Sequence, residues 1–372
     1  MNNDVKKSYV PYQPFSERII EVFNDVSSEL FAHAKNREEI LPIAFYCRKS
    51  NLLKVKAQYT GTLCPCGVAL FICPKNVDVL SCWSLVFGLL TGNYTVIRPK
   101  PQSTVFAEFM QAFRDVVRGA RCDALLDNVV VLEPDDKSAL TVWSACADVR
   151  VCWGGNNAIS EYSALSTGID CRNVFFAHRN SLTVINGDAL EKINIEEIAK
   201  TFFKNSYAYM QASCSSPRAV YFVNGKNELI RLFWDKVAEF ARSVDMAHAL
   251  IVSKYSELCL LIAAEPKPVR MYDNKLYVIE SEPFQWTNYP LKGFGVFFSI
   301  TANSISECFE GLQQIQTVSY VGFDKRQILN AMYDSVGTFA TRIVPLNEIL
   351  EFDHIVDGVD MIIALTKQIK LR

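Results

Sequence analysis

Cys214 stands in the run YMQASCSSPRAVYFV, residues 209–223, with Ala212, Ser213, Ser215 and Ser216 around it, Pro217 closing the run and a plain apolar strand after it. A thiolate there can attack a carbonyl, and the small neighbours leave room for a substrate and offer backbone N–H groups to an oxyanion. A buried, inert thiol is the commoner fate of a cysteine. Only the setting separates Cys214 from the rest of the 12 cysteines.

Three other stretches carry residue types suited to a ligand. In CPKNVDV, Pro74 ends a strand and Asn76 stands before a helix, where the residue type equally serves as an N-cap. In LLTGNYTVIRPKP, a strand delivers Arg98 and Lys100 to its end. Paired cations suit a phosphate, and taken alone they read as two solvated charges. In WGGNNAI, Gly154 and Gly155 close a strand before a helix. They would let a phosphate approach the backbone, or make a tight turn with positive φ. No GxGxxG occurs, so the ordinary dinucleotide fingerprint is missing.

The elements that must position these residues alternate. Strands GVALFIC, YTVIRP, NVVVLEP and VRVCW are separated by helical patterns over Val77–Thr91, Thr104–Val117 and Lys137–Cys146, with another helix over Asn157–Leu165. That order predicts parallel βαβ units with right-handed crossovers, and ligands beyond the strands' C-terminal ends. After Gly187 the alternation restarts. Helices are predicted over Ile195–Tyr207, Glu228–Ser243 and Ser306–Gln314. Strands are predicted at RAVYFV, Ala249–Val252, GVFFSI and VSYVGF, with the pair VRMYDNKLYVIE hinged on Asp273 and Asn274. Cys214, preceding a strand at the start of the second half, would then face a cleft between two domains.

Composition narrows the class. With 372 residues, 50% hydrophobic and 21% charged, the chain is long enough for two globular domains. Its net charge of −2 and well-mixed ions show no basic face for nucleic acid. The N-terminus passes from polar residues through Pro11 and Pro14 into an amphipathic helix, with no leader pattern. The longest apolar run, Val77–Leu90, falls below the ~20 residues of a membrane span. The cysteines therefore read as reduced, mostly packed thiols in the cytoplasm. Cys64, Cys66, Cys73 and Cys82 lie near one another, but their spacing is not that of paired zinc knuckles and no histidine is close; no metal site is expected.

Taken together, "ICPKNVDVLSCWSLVFGLLTGNYTVIRP", "VRVCWGGNNAI", "QASCSSPRAVYF", "GFGVFFSI", "LQQIQTVSYVGF" and "TRIVPLNEILEFDHIVDGVDMIIALTKQIKL" resemble the aldehyde dehydrogenase superfamily. Within it they resemble the acyl-CoA and acyl-protein thioester reductases known from bacterial bioluminescence. The likeness runs from about Gly67 to the C-terminus; the segment before it is short for the family.

The resemblance implies an α/β fold, aldehyde-dehydrogenase-like, with a Rossmann-type cofactor domain (residues 1–187) and a second α/β catalytic domain (188–340). A tail (341–372) would return to the cofactor domain or enter an oligomer interface. Cys214 matches the nucleophile that forms an acyl-enzyme thioester, and Asn76 the donor to the oxyanion. Arg98 matches a lysine that contacts the adenosine ribose, and Gly154 and Gly155 a turn facing the coenzyme. At the position of the hydrolytic enzymes' glutamate stands Phe176, and at that of the ribose-binding acid stands Pro101, beside Lys100. These departures imply reduction of a thioester and NADPH rather than NADH. His178, the one histidine near this region, reads as structural. The implied substrate is an acyl thioester carried by CoA or a carrier protein, with an acyltransferase or acyl-carrier partner and a homo-oligomer in view. An aldehyde dehydrogenase forming a free acid, and a non-catalytic assembly subunit with the same fold, are the competing readings.

Overall fold

The computed structural model describes residues 11–289, 294–335 and 339–371. The polar stretch read for a leader, up to Val10, and Gly293 of the GFGVFFSI motif lie outside the described residues. The chain forms two compact units. One runs through Ala177 and takes back the chain from Phe352 onward; the other spans His178–Glu351.

The first unit is built on a parallel sheet in the order β4-β3-β2-β5-β6, with β2 Val68–Ile72, β3 Tyr94–Arg98, β4 Val129–Val131, β5 Val149–Trp153 and β6 Arg172–Phe176. Every residue of β2 and β5 is buried, as expected of strands covered on both faces. The helix Leu80–Leu90 is apolar almost throughout because all but its first residue is buried. Each Leu, Val or Phe buried in this way contributes roughly 1.5–3 kcal/mol. Gly88 lets this helix lie directly on the sheet: a Cβ there would stand 2.4 Å from Thr95 Oγ1. Gly92, at φ +77°, then turns the chain into β3.

The C-terminal stretch is tied into this same unit. Asn93 Nδ2 donates to Leu365 O (2.9 Å), and Arg172 Nη1 to the carbonyls of Ile363, Ala364 and Thr366. A short hairpin, β14 Ile355–Val356 and β15 Val359–Asp360, precedes β16 Thr366–Ile369, which pairs antiparallel with β1 Thr62–Pro65.

The second unit holds a seven-stranded sheet in the order β13-β12-β7-β8-β11-β10-β9. Its strands are β7 Asn180–Asn186, β8 Ala219–Val223, β9 Val269–Tyr272, β10 Leu276–Ser281, β11 Val296–Ala302, β12 Ile315–Val321 and β13 Arg342–Pro345. All neighbours are parallel except the β9–β10 hairpin, whose turn places Asp273 at φ 49°. β7 lies inside this sheet between β8 and β12, so the first unit's main run ends ten residues ahead of the Gly187 read from the alternation. At the other end, β13 pairs with β12, and the unit extends to Glu351.

Several elements differ from the sequence reading. Ala249–Val252, expected as a strand, belongs to the helix His248–Ala264; a short apolar run does not distinguish the two states by periodicity. The helix expected over Ser306–Gln314 is a single 3-10 turn, Ser306–Cys308. Gly311 (φ +68°) and Gln314 (φ 56°) break the chain there and turn it into β12. Two N-terminal helices, Arg37–Tyr46 and Lys49–Lys56, follow the expected amphipathic one at Glu17–His33. No described helix is long and apolar enough to cross a membrane.

Candidate active site

The helix Ile195–Tyr207 leads into the Cys214 loop through three consecutive residues in the left-handed region: Tyr209, Met210 and Gln211, at φ 51°, 53° and 58°. L residues pay about 1 kcal/mol or more each for that conformation, so neighbouring groups must hold it. Gln211, fully buried, supplies one anchor. Its Nε2 donates to Pro217 O (3.0 Å) and Val296 O (3.3 Å), and its Oε1 accepts from Gly295 N (2.8 Å). Arg218 Nη2 donates to Gln211 O (2.7 Å), closing the neck of the loop.

The tip is equally braced. Ser216 N donates to Ser213 O (3.0 Å), which puts Cys214 and Ser215 at the centre of a turn. The Ser213 and Ser215 hydroxyls lie 2.8 Å apart. Ser181 Oγ, at the start of β7, donates to Cys214 O (2.6 Å) and accepts from Thr317 N (3.1 Å). Cys214 is exposed at the apex, and Cys259 is the other exposed cysteine among the described residues. By contrast, burial pushes the Cys152 thiol up to about 12 and that of Cys73 to about 11. Ala212 N and Ser215 N donate to Tyr209 O and Ser213 Oγ, so these two N–H groups brace the turn rather than serve an oxyanion.

In the first unit, Asn76, Arg98, Lys100, Gly154 and Gly155 stand at or beyond the C-terminal ends of β2, β3 and β5, three adjacent strands of one sheet. Asn76 is exposed in a bend. It is not an N-cap, because the following helix starts at Leu80 and its cap position is Val79. Arg98 Nε donates to Pro134 O (2.7 Å) and Nη1 to the Tyr162 hydroxyl (3.1 Å), so the guanidinium is held rigidly between the β4 exit and the helix Asn156–Ser163. Lys100 Nζ lies 3.3 Å from Asp78 Oδ2, and Asp78 also accepts from the Ser103 hydroxyl. Nearby, burial raises the Glu39 carboxyl, with Asp78 adding to the shift and Lys100 opposing it.

Neither Gly154 nor Gly155 has positive φ, so turn geometry does not require them. A Cβ on Gly155 would meet nothing within 4 Å, and one on Gly154 only Ala158 Cβ at 3.1 Å. The space in front of this helix N-terminus fits a ligand's close approach. Phe176, at the end of β6, is buried and stacks on Trp153 (5.4 Å between centroids), which stacks in turn on Phe71. It is a core ring, not a position for a base. His178 is the first residue of the second unit, between β6 and β7.

Sequence reasoning missed Asp78, Gln211, Arg218 and Ser181. Asp78 and Lys100 meet because β2 and β3 pair, which brings the chain after one strand beside the chain after the other. The larger polar residues flanking Cys214 carried a weaker signal, since Gln211 and Arg218 bracket a run of small residues.

The solved structures that the chain resembles include aldehyde dehydrogenases. An NAD-dependent benzaldehyde dehydrogenase from Corynebacterium glutamicum matches with TM-score 0.69 at 13% identity, over 94% of this chain and 84% of that one. A lactaldehyde dehydrogenase matches with TM-score 0.73 at 11% identity, over 98% and 88%. An indole-3-acetaldehyde dehydrogenase complexed with NAD+ matches with TM-score 0.71 at 12% identity, over 94% and 82%. At such identities the likeness establishes the α/β aldehyde dehydrogenase fold. No curated protein sequence matches the chain. The family model described as Acyl-CoA reductase (LuxC) matches residues 50–250, more than half of the chain and a span that includes Cys214 and all the strand ends above; the protein belongs to the LuxC acyl-CoA reductase family.

Proposed function

We propose that this protein reduces an acyl thioester to an aldehyde with NADPH, through an acyl-cysteine on Cys214. The observation that carries the reading is an exposed thiol at the apex of a turn whose strained approach is braced by buried polar groups. A packing cysteine has no use for that arrangement. The Cys214 thiolate attacks the acyl carbonyl, the thiolate of CoA or of a carrier leaves, and the acyl group remains on Sγ. NADPH, when bound, supplies the hydride that converts this thioester carbon to the thiohemiacetal level. Breaking the C–S bond then releases aldehyde and restores the Cys214 thiolate. Asn76 keeps the role its family position implies, a side-chain N–H donor to the oxyanion.

For the cofactor, the ends of β3 and β5 offer Arg98, Lys100 and the open backbone at Gly154 and Gly155. Arg98 and a Lys100 shared with Asp78, with no carboxylate at Pro101, favour a 2′-phosphate. Phe176 in the core supports reduction over hydrolysis, because no base stands at that position to activate water. A partner acyltransferase or acyl-carrier protein would deliver substrate to a homo-oligomer.

The test is intact mass spectrometry after mixing with an acyl-CoA, with and without NADPH. The wild type should gain one acyl mass that disappears with aldehyde release when NADPH is added, and Cys214→Ala should gain none. Equal labelling of both proteins, or rapid oxidation of free aldehyde to acid without an acyl acceptor, would overturn the reading.

A further inference from the structure

We infer that Arg218 is a positioning residue for Cys214: its guanidinium ties the neck of the thiol loop and supplies the positive charge that favours the thiolate, with Glu257 as the opposing charge. The inference rests on the reading of Cys214 as nucleophile and adds the group that makes it reactive.

The geometry comes first. Arg218 and Cys214 are held by the same residue, since Ser181 Oγ donates to Cys214 O (2.6 Å) while Ser181 O accepts from Arg218 N (2.8 Å). The side chain then reaches back across the loop to Gln211 O (2.7 Å), three residues before the thiol. Gln211 is itself left-handed and fully buried, so the carbonyl that receives the guanidinium is fixed rather than adjustable. The cation thereby acquires a defined place relative to the apex.

Its surroundings point the same way. Burial brings the Arg218 guanidinium down to about 10, opposed by Glu257 and Cys214, the acidic groups that act on it. Glu257 belongs to the helix His248–Ala264. Lys254, less than one turn earlier, turns elsewhere, to Asn274 O and the Tyr277 ring. A weakly hydrated cation acts on a nearby anion more strongly than one in bulk water. It stabilises a thiolate more than a thiol, which is the requirement for attack near neutral pH. Glu257 works against it by sharing the guanidinium.

The experiment follows the alkylation of Cys214 by iodoacetamide from pH 5 to 10, read by mass on the Cys214 peptide of the full chain, without substrate or cofactor. Arg218→Met should move the midpoint of the rate profile up by about one pH unit, a tenfold slower reaction below the midpoint. Arg218→Lys should retain most of the wild-type profile, and Glu257→Gln should move the midpoint down. A role confined to bracing the loop would change the plateau rate and leave every midpoint in place, and that result overturns the inference. If Arg218→Met does not fold by circular dichroism, Glu257→Gln decides: an unmoved or raised midpoint overturns the proposal. The proposed function fails separately, if the midpoints shift as expected but no acyl-enzyme forms from acyl-CoA.

Discussion

Lys100 and Asp78 form an ion pair, Nζ to Oδ2 at 3.3 Å, at the exits of two adjacent parallel strands. The pair is only partly exposed, at 29% and 12% of the two side chains, and the Ser103 hydroxyl holds the carboxylate in place. Half of the local positive charge read from Arg98 and Lys100 is therefore balanced within the protein. On the proposed reading, a 2′-phosphate would have to compete with Asp78 for Lys100. Asp78→Asn should accordingly raise the ratio of kcat/KM for NADPH over NADH severalfold, and Lys100→Glu should narrow or reverse it. Kinetics with both coenzymes at matched concentrations check this. An unchanged ratio in both variants would place the coenzyme away from Lys100.

Thiol reactivity should be as uneven as thiol exposure. Cys152 lies at 0% exposure on β5 and burial pushes its thiol up to about 12, whereas Cys214 is exposed. Brief iodoacetamide treatment at pH 8 should label Cys214 and leave Cys152 unlabelled. Cys152→Ala should keep most of the reductase activity that Cys214→Ala loses. Peptide mapping that finds Cys152 labelled in the native protein would contradict the packing.

Phe176 offers a test of core against chemistry. Its ring is buried at the end of the Phe71–Trp153–Phe176 stack, so Phe176→Glu should unfold the first unit before it adds hydrolysis. Losing a ring of this kind costs about 3–5 kcal/mol, and placing a carboxylate there adds to that. Thermal unfolding should show a clear fall in Tm. A stable variant that releases free acid quickly from acyl-CoA would show that the position does face the reacting carbonyl.

Lys254 makes stability depend on pH. Burial, reinforced by Lys275, lowers its ammonium to about 8 from 10.5. Between those values the unfolded chain binds more protons than the folded one, so this residue makes stability rise with pH from about 8 to 10.5. Denaturant unfolding at pH 8 and pH 10 should show a larger gain in the wild type than in Lys254→Met. Equal gains would mean that Lys254 keeps its ordinary proton affinity through its bond to Asn274 O.

Local composition carried the framework. The fully buried VALFI and VRVCW strands, separated by apolar helices, have few alternatives to a parallel sheet. The Lys137–Cys146 and Ile195–Tyr207 helices end where their sequence patterns end. The loop setting of Cys214 was legible for a similar reason: small and polar residues before a plain strand signal a turn. The apolar run at Ala249 was not, because without strong period its state depends on what packs against it.

Sequence alone thus determined the α/β class, the loop position of Cys214 and the strand ends that carry Asn76, Arg98, Lys100, Gly154 and Gly155. Tertiary structure decided what those groups are bonded to. Asp78 lies 22 residues from Lys100 and Ser181 lies 33 from Cys214, and a charge or a hydroxyl has no preferred partner at such separations until the sheet sets the register. Phe176 entered a three-ring stack for the same reason, since β6 pairs with β5 in a register that puts Trp153 beside it. Hydrogen bonds and ion pairs act over a few ångströms, and only the folded sheet brings residues so distant in sequence within that range.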